Sequence, residues 1–407
     1  MTNVRISLQR LDFITLLCTV LMTIRYYLYP FVFCMLMGNQ FFELSESGMS
    51  LVVFLLEEFF TFVVMNKALS GINCGKYDNL SINASKSSSW LIILLCGLSI
   101  VIFRAYPSVA FNYQFIFGLD IIVMQGSEFQ SFAESLGYVV IDSTRLLLPL
   151  VVINHCYRKY EKHPQSQLIL YSFLACLLPM LIIKNMNRGS SLFTGIIYLW
   201  LVIRLYGWRQ TKKYTLGTLL GFYSLLSVVS AVKHAMGIER AGWGLPYVYD
   251  MLQSYTLGIE SIRYGLVTNI KNENLSSLGV FFNDIFGSLP ILNRYADLSM
   301  RYTSLFNEVY YANDIYNKND AIAPIITNLM YVFGLLGALI PAGIIYIAIK
   351  IYKKIYKCKT INAAFIYLYC GLVLQAGSTG SLSATIATLV WVVFPLYCII
   401  KFMDKTN

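Results

Sequence analysis

Residues 323–349 read APIITNLMYVFGLLGALIPAGIIYIAI, a run without a charge between Asp320 and Lys350. A helix of about 20 apolar residues, rising 1.5 Å per residue, crosses the roughly 30 Å hydrocarbon layer of a bilayer. In lipid every backbone amide must find its partner within the spanning structure, so such a run reads as a membrane helix. Toward the N-terminus comparable runs occupy about 12–37, 49–69, 89–106, 133–157, 166–184, 189–207 and 214–233, and toward the C-terminus 361–377 and 381–402. A single long polar stretch, 234–322, interrupts them. The expected organisation is an all-α polytopic membrane protein of about ten spans. Seven fall in residues 1–233, a large extramembrane segment fills 234–322, and three spans fill 323–407. The apolar piece Phe115–Met124 is too short to cross and is expected to be re-entrant or interfacial.

Composition agrees: 57% of the chain is hydrophobic and only 13% charged, with a mean hydropathy of +0.61, outside the range of soluble domains. Positive charge collects on the cytoplasmic side of short loops. Ten spans with both termini cytoplasmic put most of the 31 Lys and Arg residues inside, including Arg158, Lys159 and Lys162, Arg209, Lys212 and Lys213, and Lys350 to Lys359. The segment 234–322 then lies outside. The net charge of +10 is spread over separate cytoplasmic loops, which fits membrane lipid headgroups as partners and no nucleic acid. None of the nine cysteines lies in 234–322, so that segment is held without disulfides. The first apolar run follows Arg5 and Arg10 and lacks a small-residue cleavage site, so it is expected to remain as an anchor.

Charges at membrane depth are costly and usually face a partner or a cavity. Arg25 lies in the first run, Glu57 and Glu58 in the second, Asp142 and Arg145 in the fourth, and Arg204 ends the sixth. Asp142 and Arg145, spaced i, i+3, can neutralise each other or serve a site. Arg204 can snorkel. In the turn Lys184-Asn-Met-Asn-Arg188-Gly189-Ser190-Ser191 two cations sit against the sidedness trend just before a helix. Amides at a helix start beside the Arg188 guanidinium suit a phosphate, and headgroup contact is the alternative.

The segment 234–322 turns at Ala241-Gly-Trp-Gly-Leu-Pro246 and is rich in tyrosine, including Tyr247, Tyr249, Tyr255, Tyr302, Tyr310 and Tyr311. Aromatic faces beside Asn, Asp and Glu suit sugar rings, and tyrosines also populate membrane interfaces. Arg294, Asp297 and Arg301 recur at i, i+3, i+7. As one helix they would share a face with Glu308, either as a cationic diphosphate clamp with an adjacent carboxylate base or as a solvated face joined by ion pairs. No phosphate loop, HExxH or paired CxxC occurs, so a metal-independent, cofactor-free reaction is expected. His234 is the one histidine near the outer surface.

The segment ends Asn307-Glu308-Val309-Tyr310-Tyr311, followed by Ala323-Pro-Ile-Ile-Thr-Asn328-Leu-Met-Tyr-Val-Phe333-Gly334-Leu-Leu-Gly337. A polar outer loop running into a span that begins this way resembles the bacterial O-antigen polymerases, the Wzy-type oligosaccharide repeat-unit polymerases. The family commonly carries an acidic residue near the start of this span, where this chain has Asn328, and its arginine-to-glycine spacings in two outer loops do not recur here.

The resemblance implies a GT-C-like glycosyltransferase at the periplasmic face of the bacterial inner membrane. It would join undecaprenyl-diphosphate-linked oligosaccharide repeat units into surface polysaccharide, with a chain-length regulator protein as a possible partner. From the chemistry of the residues, Glu308 or Asp297 would be the catalytic base, Arg188, Arg294 and Arg301 would hold the diphosphate, and Tyr302, Tyr310 and Tyr311 would contact glycan. The other readings are an O-antigen ligase, which His234 keeps open, and a flippase for lipid-linked oligosaccharide, against which the long outer segment argues.

Overall fold

The computed structural model describes residues 29–69, 89–107, 109, 113–115, 132–184, 188–235, 258–289, 292–311, 321–355 and 357–405. Arg25, the turn 241–246, Tyr247, Tyr249, Tyr255 and most of Phe115–Met124 lie outside them. The described residues are almost wholly helical. They fall into two compact units, one formed by residues 1–79, 242–353 and 370–389 and the other by 80–241, 354–369 and 390–407.

In the first unit α1 (Tyr29–Leu36) leads through a 3-10 turn, Gly38–Glu43, into α2 (Ser47–Leu69). Phe41 is held edge-on to Phe33 at 4.8 Å. The polar segment supplies α8 (Ile259–Lys271), α9 (Ser277–Ser288) and α10 (Tyr302–Tyr310). Then come α11 (Ile325–Phe333), a 3-10 turn over Gly334–Leu339, α12 (Ile340–Ile355), α13 (Ile361–Gly377) and α14 (Leu382–Thr388). A π-helical stretch, Leu389–Val393, follows α14 and leads to α15 (Phe394–Lys405), which belongs to the second unit, as does the first half of α13.

The polar segment does not fold apart from the spans. Ile259, Ile262 and Leu266, one helical face of α8, are buried against Val53 and Phe54 of α2 and Ile326 of α11. A second cluster joins Val280 of α9 to Tyr302, Leu305 and Phe306 of α10 and to Ala323.

The stretch 323–349 is not one straight helix. Gly334 has φ of +59°, a conformation that costs glycine little and other residues more, and it ends α11 after nine residues. Three residues on, Gly337 approaches the backbone of α11, and a Cβ there would stand 2.4 Å from the Leu329 carbonyl carbon. In a continuous helix residues eight apart are about 12 Å apart along the axis, so the chain folds back on itself here. Such a short half-helix is tolerated at membrane depth only where protein covers its freed amides, and Ile325 N–H accordingly donates to Gly380 O at 2.8 Å.

The second unit is a helix bundle. It contains α3 (Ser89–Ala105), α4 (Phe132–Lys162), α5 (Ser166–Leu181), α6 (Arg188–Tyr206) and α7 (Trp208–Ala235). The helices α3 to α6 pack in chain order, and α7 lies against both α5 and α6. Tyr113–Phe115 (β1) and Ile182–Lys184 (β2) pair antiparallel as a small ribbon at one end. Inside the bundle Asn154 donates to Asn362 at 3.0 Å, and Tyr198 stacks on Phe365 with centroids 5.0 Å apart.

Among the described residues, four apolar helical stretches have the length and composition to cross a membrane: Ser47–Ala68, Ala133–Lys162, Ile325–Ile355 (with its fold-back) and Leu382–Met403. Leu91–Ala105, Ser166–Leu181, Ser191–Tyr206 and Ile361–Gly377 are shorter apolar helices. Outward-facing Leu55, Phe59, Ile93, Leu216 and Phe394 are exposed, as lipid-facing side chains are. The chain is an all-α membrane protein with a minor two-stranded ribbon.

Candidate functional site

In the first unit a charged group sits where α9, α10 and α11 meet. The helix α9, SLGVFFNDIFGS, starts at Ser276, whose hydroxyl accepts from Gly279 N–H at 3.2 Å. Val280, Asp284 and Ser288 recur every four residues and form its buried face. Asp284 is thereby carried inward and is 0% exposed. An isolated buried carboxylate is strongly disfavoured unless it is paired.

Two side chains meet it, beside the Tyr302 backbone N–H. Asn328, on the half-helix α11, donates from Nδ2 to Asp284 Oδ2 at 2.6 Å. Arg301, just before α10, places Nε 3.7 Å from Asp284 Oδ1, an ion pair beyond hydrogen-bond range. The Arg301 side chain lies over Gly287 and is 23% exposed, so it is the face of the group that solvent reaches. Burial pushes the Asp284 carboxyl above the usual carboxylate range, and the Asn328 hydrogen bond and the Arg301 charge pull against that rise. Among the described residues Asp284 Oδ1, Asn328 Oδ1 and Arg301 Nε make no hydrogen bond. Asp284 Oδ1 and Arg301 Nε face each other across the ion pair, and Asn328 Oδ1 is the acceptor of the group that has no donor among the described residues.

Three hydroxyls cluster next to Arg301 in the same unit, two of them buried. Thr303, two residues after Arg301, has Oγ1 3.4 Å from both Ser381 Oγ and Ser383 Oγ. The two serines, at the start of α14, are 2.8 Å apart.

The residues expected from the sequence are distributed unevenly around this group. Residues 292–310 are not one helix: 3-10 turns at Leu292–Tyr295 and Leu298–Met300 precede α10. Asp297 breaks the run, because its Oδ1 accepts from both the backbone N–H and the hydroxyl of Ser299, at 3.0 and 2.6 Å. Arg294, Asp297, Arg301 and Glu308 therefore do not share a helical face. The Ser299 hydrogen bonds also hold the exposed Asp297 carboxyl below its ordinary range, which makes it a weaker base. Glu308 is exposed on α10. Arg294 is exposed, with its guanidinium 4.7 Å from the Tyr295 ring centre.

Tyr302 is a core residue, 1% exposed. Its hydroxyl donates to Asn269 Oδ1 at 2.8 Å, and burial raises its pKa well above the usual phenol range. Tyr310 and Tyr311 are half-buried and edge-on, 4.9 Å apart, and Tyr310 stacks on Phe306. Arg188 is the first residue of α6 in the second unit, and Gly189, Ser190 and Ser191 lie within that helix instead of before it. The conformation of the His234 side chain lies outside the described residues.

In the second unit Asp142 and Arg145 form the expected pair, Nε to Oδ1 at 3.7 Å, both buried. Arg145 also donates from Nη1 to Ile182 O at 3.1 Å and to Ser191 Oγ at 3.4 Å, tying α4 to the ribbon and to the start of α6. Those bonds engage Nη1 alone, while Nε, which faces Asp142, makes no hydrogen bond among the described residues.

The residue that composition and spacing passed over is Asp284. Its signal in the sequence is a single acid in a helix that otherwise reads Val-Phe-Phe-Asn-Asp-Ile-Phe. The fold and this group define a polytopic all-α membrane protein with a buried acid and amide and a partly exposed guanidinium beside a broken span. No protein-family model, no curated protein and no solved structure matches the chain.

Proposed function

We propose that this chain is a repeat-unit polymerase of the bacterial inner membrane, a GT-C-like glycosyltransferase of about ten spans with both termini cytoplasmic. It transfers a growing glycan from undecaprenyl diphosphate to the next lipid-linked unit on the periplasmic side. The observation that carries this reading is the Asp284–Arg301–Asn328 group. The stretch that resembles the polymerases carries Asn328 where they commonly have an acid, and Asn328 is hydrogen-bonded to a carboxylate supplied by another helix.

The reaction requires few parts. The bond from sugar C1 to the diphosphate oxygen breaks, a new bond forms from C1 to the acceptor oxygen, and the acceptor hydroxyl loses its proton. Diphosphate is already a good leaving group, so the protein must hold it, place the acceptor and take that proton. Arg301 is the partly exposed cation for the diphosphate, with Arg294 on the neighbouring turn as the second. Asp284 is the base. When a diphosphate draws the Arg301 guanidinium outward, Asp284 loses the charge that lowers its pKa and becomes more basic at the moment a base is needed. Asn328 keeps the carboxylate oriented, and the Thr303, Ser381 and Ser383 hydroxyls offer partners for sugar hydroxyls. Tyr310 and Tyr311 remain the aromatic candidates for a sugar face.

The test is deletion of the gene in its host and comparison of surface polysaccharide from strains complemented with wild type or Asp284→Asn. A collapse of the ladder to a single repeat in the deletion and in the Asp284→Asn strain supports the reading. Polymer accumulating on undecaprenyl diphosphate would indicate a ligase, and loss of both polymer and single repeats would indicate transport.

A further inference from the structure

The polar segment ends α8 with Lys271-Asn272-Glu273-Asn274, a short run in which both charged side chains are exposed to solvent. The next helix, α9, is different. Its one charged residue is Asp284, which is fully buried, so the outward face carries no charge. That face presents Leu278 at 55% and Phe282 at 48% exposure, with the half-buried rings of Phe281 and Phe286 beside them.

The apolar surface continues beyond the helix. Phe281 meets Phe333, the last residue of α11, edge-on with centroids 6.0 Å apart. The fold-back turn that follows exposes Leu335 at 64% and Leu336 at 71%. A water-facing surface of this extent would carry charges, and contiguous exposed apolar area of this kind marks contact with a membrane or another protein.

The surroundings identify the occupant. The neighbouring α8 is buried along α2, one of the stretches long enough to cross a bilayer. The fold-back turn is itself part of the apolar stretch Ile325–Ile355. The uncharged surface is therefore continuous with residues that lie at membrane depth. We propose that the outward face of α9 and the turn Gly334–Leu339 contact the acyl chains of the bilayer, so that α9 is an in-plane membrane helix instead of part of a water-borne domain. Amphipathic helices seat their apolar face just below the headgroups. This inference does not depend on the polymerase reading. Joined to it, it puts Asp284, on the inner face of the same helix, at the depth of a lipid-borne diphosphate.

Photocrosslinking of the full-length protein in native membranes tests it. p-Benzoylphenylalanine is placed singly at Phe282, at Leu336 and, as a water-side control, at Glu273. After irradiation the purified protein is weighed intact by mass spectrometry. The proposal expects phospholipid adducts at 282 and 336 and none at 273. Adducts at 282 and 336 to a second copy or to another protein would overturn it, as would lipid adducts no more frequent there than at 273. A well-folded variant without any adduct at 282 and 336 would place the face in water and overturn it equally.

Discussion

Asp284 carries the most chemistry at the scale of single residues. A general base typically contributes about 100-fold or more to rate, so Asp284→Asn is expected to reduce elongation by at least that factor in an assay with purified protein. Asp297→Ala is expected to leave the rate within a few-fold, because that carboxylate serves a turn. The pKa direction fixes a sign for stability as well. A carboxyl raised by the fold is most favourable when protonated, so its contribution is fully present at low pH and is lost as pH rises through its folded-state value. Thermal unfolding in detergent should therefore show wild type losing stability relative to Asp284→Asn as pH rises above the ordinary carboxylate range of about 4. Parallel pH profiles for the two proteins would contradict the assignment. Asn328→Asp would set two carboxylates at hydrogen-bond distance, which cannot both ionise, and is expected to move the acid limb of activity to higher pH. The sequence concealed Asp284 because it has no charged neighbour at helical spacing; its partners come from residues 17 and 44 positions away. The charges that did show regular spacing, Arg294 and Asp297, proved to be surface groups on short turns.

Among the elements, the half-helix α11 and its fold-back turn place Asn328 against Asp284. Gly337 is the pivot, since any side chain there meets the Leu329 carbonyl. Overpacking against backbone that cannot yield typically costs about 1–3 kcal/mol. Gly337→Ala is thus expected to lower the unfolding temperature and to impair activity through displacement of Asn328, whereas Gly343→Ala, at a position with open space, should do neither. Measuring both melting curves in one detergent makes the comparison. The helices themselves were largely legible, and the runs 49–69 and 89–106 recur within a residue or two as α2 and α3. The fold-back was not, because hydropathy is blind to direction: Phe333-Gly-Leu-Leu-Gly337 is as apolar as a straight span, and only φ and the close approach of Gly337 reveal the reversal. The burial of α8 was equally hidden, because its mixed composition reads as extramembrane while its inner face matches α2.

For the whole molecule, the charge pattern makes a topological claim that labelling can check. Cysteines introduced at Gln165, in the turn between α4 and α5, and at Glu273, after α8, should differ in access to a membrane-impermeant maleimide, with the native cysteines as background. Glu273→Cys is expected to label in intact cells and Gln165→Cys only after the membrane is opened. Labelling in the opposite order would invert the orientation and remove the periplasmic placement of the site. Whether Asp284 serves as the base for glycan transfer is decided by reconstitution. Purified wild-type and Asp284→Asn proteins in liposomes are supplied with undecaprenyl-diphosphate-linked repeat units, and chain length is followed with time. Wild type is expected to give a growing ladder with release of undecaprenyl diphosphate, and Asp284→Asn single repeats alone. A wild-type protein that leaves the repeats unjoined, or a variant that elongates them at the wild-type rate, would contradict it.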